Sequence, residues 1–204
     1  MRKWFITAFL GLFYITTTLA QTQTVLVMGD SISAGFGVEI GKGWVTLFEQ
    51  RLLDKGHDFK VINASISGET SAQGLARLES LLIKHQPNYV IIELGGNDGL
   101  RALALPKLEA NLEQMIQQSK GSGAKVLLLG MQIPPNYGPG YTDGFKAIYA
   151  KLADKHQIAL VPFFLEGIAG QTDLMQNDGI HPTTAAQPQL LDNMWASFLT
   201  LLNE

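Results

Sequence analysis

The chain reads as an α/β protein, a three-layered α/β/α arrangement built on a parallel sheet of five strands. Three observations predict this. Short β-branched runs alternate with longer segments of helical periodicity. Most of the short runs are apolar on both faces, as strands covered by helices on both sides must be. Polar clusters follow the strands at their carboxyl ends, where open parallel sheets build their sites.

The first strand spans 25–28 and ends in Gly29-Asp30-Ser31. Residues 44–55 carry apolar side chains at helical spacing and lead to the second strand, 59–62, whose polar sequel runs from Asn63 to Thr70. A helix over 71–85 precedes the third strand, 89–92, which closes in Gly95-Gly96-Asn97-Asp98. The next helix, 106–120, opens on Pro106, where a missing N–H costs little. The fourth strand is 125–129, and a Pro- and Gly-rich loop over 131–141 connects it to a helix over 142–156. A fifth strand, 159–161, and the cluster Asp178-Gly179-Ile180-His181-Pro182 come before a last helix, about 183–202. Such alternation implies right-handed crossovers. Five polar loops then converge on one edge of the sheet.

With 204 residues, 46% of them hydrophobic and 16% charged, the chain suits one domain with a substantial core. Its formal charge is -3 and no basic stripe is visible, so no nucleic-acid partner is expected. Residues 1–20 differ from the rest: Met1-Arg2-Lys3, an apolar run over 4–14, then small and hydroxylated residues ending Thr18-Leu19-Ala20. This is the pattern of a secretory signal peptide cleaved after Ala20, leaving 21–204 as a single domain. An uncleaved membrane anchor is the competing reading, although the run is shorter than the roughly 20 residues of a spanning helix. The chain has no cysteine, so neither a lipid-modified cysteine anchor nor disulfides are expected. A periplasmic or secreted location follows, with no stable membrane anchor after cleavage.

The stretch after the first strand, "GDSISAGFG", invites a phosphate-loop reading that fails letter by letter. The dinucleotide fingerprint from Gly35 and Gly37 needs glycine at Ile40. A P-loop ending in Gly41-Lys42 needs glycine at Phe36 and a hydroxyl residue at Gly43. The nucleophile elbow G-x-S-x-G is half met by Gly29 and Ser31, but Ser33 occupies the last glycine position. What remains is a nucleophilic serine on another kind of turn, or a helix cap formed by Asp30 or Ser31.

A serine nucleophile needs a base, an orienter for the base, and donors for the oxyanion. Of the four histidines, His57 sits in a polar turn, and His85 and His156 end helices, where a cation suits the dipole. His181 is different, with Asp178 three residues before it and Pro182 after it. An Asp at that spacing on a turn can reach the Nδ1–H and leave Nε2 free as the base. Gly68 can offer an unobstructed N–H and Asn97 its amide. Each also has a plain reading as a turn residue.

With Ser31, Gly68, Asn97 and His181 in "GDSISAGFG", "NASISGET", "GGND" and "DGIHP", the chain resembles the SGNH or GDSL hydrolases. "GGNDGLR", "IPPNYGPGY" and "DGIHPTTAAQPQLLDNMW" resemble in particular the exported branch of thioesterases, lysophospholipases, proteases and arylesterases. The resemblance implies a flavodoxin-like sheet in the order 2-1-3-4-5. It also implies Ser31 as nucleophile, His181 as base and Asp178 as orienter. The oxyanion hole would combine the Ser31 N–H, the Gly68 N–H and the Asn97 amide, and Asp30 would have only a local structural role.

The expected reaction is hydrolysis of a small-molecule acyl ester or thioester, with no metal and no cofactor, by a monomer. The 131–141 loop is a candidate lid, and Leu100, Ile133, Tyr137 and Tyr141 are candidates to bind the acyl group. Two other readings stay open: a carbohydrate O-deacetylase of the same fold, and a ligand-binding module without catalysis.

Overall fold

The computed structural model describes residues 22–203, so the expected leader at 1–20 lies outside the described residues. Five strands form one parallel sheet: β1 (Gln23–Gly29), β2 (Phe59–Asn63), β3 (Tyr89–Glu93), β4 (Lys125–Leu129) and β5 (Ala159–Val161). Their order is β2-β1-β3-β4-β5, as expected. β1 lies between β2 and β3, with Val27 opposite both Asn63 and Ile91.

Helices cover both faces. On one lie α2 (Trp44–Asp54) and α7 (Gln187–Leu202), packed on each other. On the other lie α3 (Ser71–His85), α5 (Leu105–Gly121) and α6 (Pro139–His156). The central strands therefore meet no water: Val25 to Met28 and Val90 to Ile92 are fully buried. Beneath α2 and α7 the core is aromatic, with Phe48 edge-on to Phe198 at 4.8 Å and Trp44 edge-on to Phe164 at 5.3 Å. Such ring pairs add roughly 1 kcal/mol each to the burial term.

Two short helices start where central strands stop, α1 (Ser31–Ala34) after β1 and α4 (Gly96–Leu100) after β3. Neither was separable from its loop by periodicity, since one turn shows no repeat. Segment 131–141 is also more ordered than expected. A 3-10 turn spans Pro135–Tyr137, Gly138 takes φ 85°, and α6 begins at Pro139. Proline fits there because its φ is already helical and it has no first-turn N–H to leave unpaired. The last helix starts later than expected, at Gln187, after a separate 3-10 turn over Thr184–Ala186.

Candidate active site

β1 and β3 are neighbours whose following segments leave the sheet at the same edge, the switch point where doubly wound sheets open a crevice. Ser31 is the first residue of α1 and is 8% exposed. Asp30 caps that turn by accepting the Ile32 N–H at 3.0 Å. The loop after β2 is tied beside it, because the Ile66 N–H donates to the Gly29 carbonyl at 3.0 Å.

His181 Nε2 lies 2.8 Å from Ser31 Oγ, although 150 residues separate them. On the other side of the ring, Nδ1 donates to Asp178 Oδ2 at 2.7 Å. That carboxylate needs a donor, which fixes the proton on Nδ1 and leaves Nε2 to accept from the serine. Asp178 Oδ1 also accepts the backbone N–H groups of Ile180 at 2.9 Å and His181 at 3.0 Å. The backbone and ring N–H groups of His181, helped by that of Ile180, hold the Asp178 carboxyl down at about 2. It is therefore an anion throughout the neutral range.

Asn97, the second residue of α4, donates from Nδ2 to Asp30 Oδ2 at 3.0 Å. An amide has two such hydrogens, so the second is left to point elsewhere. Asp30 is 2% exposed, and burial pushes its carboxyl from 3.8 up to about 6, against the pull of the Ile32 and Asn97 donors. Below it lies Glu93, the fully buried last residue of β3. Its Oε2 accepts from Ser33 Oγ at 2.6 Å and from the Asp30 N–H at 3.3 Å. Burial, then the nearby Asp30 charge, push the Glu93 carboxyl well above its usual range. Trp44 Nε1 donates to the same Ser33 hydroxyl at 3.3 Å and closes the network.

Gly68 lies in the loop after β2 at φ 79°, a conformation that glycine adopts without strain. Its carbonyl accepts from Arg101 Nη2 at 3.0 Å, and its N–H makes no hydrogen bond among the described residues. Glu69, next in the chain, is buried and accepts from Arg77 Nε at 2.6 Å, which anchors the loop from below.

A cleft of about 540 Å³ opens on Ser31, Asn97 and His181. Its walls are mostly apolar, with Leu100, Met131, Ile133, Phe163, Leu165 and Met175 among them. Of the residues expected to bind an acyl group, Leu100 and Ile133 line this cleft. The expectation for Tyr137 and Tyr141 does not hold, since neither lines the cleft. Their hydroxyls donate to the carbonyls of Leu100 and Leu103, both at 2.7 Å, because a half-buried phenol seeks a partner. They brace the segment after Asn97 instead. Among the described residues no three His, Asp or Glu side chains converge as metal ligands, and no helix is long and apolar enough to cross a membrane.

Sequence reasoning passed over Glu93, Gln176 and Phe36. Glu93 had one visible signal, an acid closing an apolar strand. Gln176 and Phe36 had none, since the bond that joins them, from Gln176 Nε2 to the Phe36 carbonyl, spans 140 residues.

Comparison with known proteins points the same way. The model of the GDSL-like lipase/acylhydrolase family matches residues 27–187. Over 188 residues the chain is 55% identical to a Pseudomonas aeruginosa protein called Esterase TesA, covering 92% of this chain and 94% of that one. It is 44% identical to Thioesterase 1/protease 1/lysophospholipase L1 of Escherichia coli, over 96% of this chain and 92% of the relative. A crystal structure of TesA superimposes with a TM-score of 0.86 at 56% identity, covering 88% of this chain and 99% of that one.

Proposed function

Because the chain belongs to the GDSL-like lipase/acylhydrolase family and is an ester hydrolase, we propose that it cleaves carboxylic esters and thioesters through an acyl-enzyme on Ser31. Aryl esters, acyl-CoA-type thioesters and lysophospholipids are the substrate classes. The observation that carries this reading is the relay from Ser31 through His181 to Asp178, with contacts of 2.8 and 2.7 Å, at the mouth of an apolar cleft.

In the first half-reaction Ser31 Oγ attacks the carbonyl carbon while its proton passes to His181 Nε2. Asp178 holds the imidazolium that forms. The negative oxygen is received by the Ser31 N–H, the Gly68 N–H and the free hydrogen of the Asn97 amide. The tetrahedral adduct collapses, His181 gives its proton to the departing alcohol or thiol, and an acyl-serine remains. Water then repeats the sequence, losing a proton to His181 and releasing the acid and the free serine. The chain's own residues suffice for each step.

The apolar depth of the cleft favours acyl chains longer than acetyl, which argues against a carbohydrate O-deacetylase. Export by a leader at residues 1–20, to the periplasm or beyond, belongs to the same reading, as does action as a monomer, since one chain supplies every catalytic group.

The experiment is a rate panel on the chain from residue 21 onward, with p-nitrophenyl and thioester substrates of graded acyl length, beside Ser31→Ala. The proposal expects activity rising with chain length beyond acetyl, and a fall on the order of 10⁶-fold in turnover without the serine hydroxyl. Substantial activity in Ser31→Ala would reject it.

A further inference from the structure

Phe36 follows α1, and 52% of its surface is exposed, an uncommon position for a phenylalanine. Its ring nonetheless packs against another ring. It lies 4.6 Å from the His181 imidazole, centroid to centroid, with the planes tilted by 43°. The Phe36 carbonyl accepts from Gln176 Nε2 at 2.8 Å, and the same amide donates to the Pro182 carbonyl at 3.0 Å. The Gln176 N–H donates to the His181 carbonyl at 2.7 Å. One glutamine thus ties the segment after the nucleophile to the segment carrying the base. Gly37 makes room for it. At φ 69°, a Cβ there would stand 2.3 Å from Gln176 Oε1.

Phe36 is not among the walls of the acyl cleft. In acyl transfer the departing group takes its proton from the imidazole Nε2, so it leaves beside that ring while the acyl chain occupies the cleft. Outside the cleft, the Phe36 ring lies against the imidazole. We propose that Phe36, fixed by Gln176, is the platform for the leaving group and gives the enzyme a preference for flat apolar leaving groups over small alkyl ones. The inference rests on hydrolysis through Ser31 and His181. A ring against a ring is a contact that a methyl group cannot make, and it is worth up to about tenfold in selectivity.

The test uses two esters with the same acyl group, 2-naphthyl butyrate and methyl butyrate, on the wild-type chain, Phe36→Ala and Phe36→Leu. The ratio of kcat/KM for naphthyl over methyl should fall about tenfold in Phe36→Ala and by less in Phe36→Leu, with the change carried by KM. A purely structural role for Phe36 would lower both esters alike and leave the ratio unmoved; that result, in chains still captured at Ser31 by a fluorophosphonate, overturns the platform alone. If the wild-type chain is neither captured nor active on either ester, the platform falls together with the hydrolase mechanism.

Discussion

Asp178 is bonded to His181 and Asp30 to Asn97, and their surroundings make the two acids opposites. Asp178, with 39% of its side chain exposed, receives three N–H donors and is held down at about 2. Asp30 is almost fully buried, sits above the buried Glu93, and is pushed up to about 6. Water and donors keep the first an anion throughout the neutral range, as the proposed mechanism requires of the partner of an imidazolium. Burial makes the second a scaffold whose two oxygens hold the Ile32 N–H and the Asn97 amide. An acid's role here follows from its setting and not from its nearness to the serine.

Substitutions that neutralise each acid separate these roles, and the largest effect belongs to Asp178. Asp178→Asn keeps the shape but offers Nδ1 a group that can stabilise the wrong tautomer. Turnover of p-nitrophenyl butyrate should drop on the order of 10⁴-fold, with KM little changed. A loss below tenfold would show that His181 needs no anionic partner.

Next is the group that Asp30 serves. Asn97→Ala should cost on the order of 10²- to 10³-fold in kcat while leaving the fold intact by circular dichroism. Full activity with a short aryl ester would remove Asn97 from the oxyanion site.

Asp30→Asn should have the smallest effect on rate, about tenfold, because the new side chain still caps Ile32 but no longer offers Asn97 a carboxylate. Its clearer signature is in stability. The folded wild-type chain binds the Asp30 proton more tightly than the unfolded chain does, with a carboxyl raised from 3.8 to about 6. That contribution is fully present below pH ~4 and is lost as pH rises through ~6. The melting temperature of Asp30→Asn should therefore fall less than that of the wild type between pH 4 and 7, as read by calorimetry. Parallel curves would count against a raised carboxyl at this position.

The parts of this site that were legible in the sequence are those built from neighbours. Asp178 and His181 are three residues apart, so one turn suffices to join them. The strands announce themselves as short, unbroken β-branched runs, and the edge rule then gathers Ser31, Asn97 and His181. Contacts between distant residues were not legible. Nothing near Ser33 predicts that its hydroxyl meets Glu93, 60 residues on, or that Gln176 reaches the Phe36 carbonyl across 140. Tyr137 and Tyr141 were misplaced for a related reason. A tyrosine in a Pro- and Gly-rich loop suggests a lid, yet its destination depends on which backbone carbonyl is within reach of the hydroxyl.

The short separation of Asp178 and His181 has a mechanical consequence. Both belong to one tight turn closed by their own hydrogen bonds, while Ser31 opens the short helix α1, two residues after the buried strand β1 ends. Asp178 and His181 are therefore aligned by local bonds alone, and the one long-range distance the relay depends on is the 2.8 Å between Nε2 and Oγ. Gln176, bonded to the Phe36, Pro182 and His181 carbonyls, ties the two segments on either side of that gap.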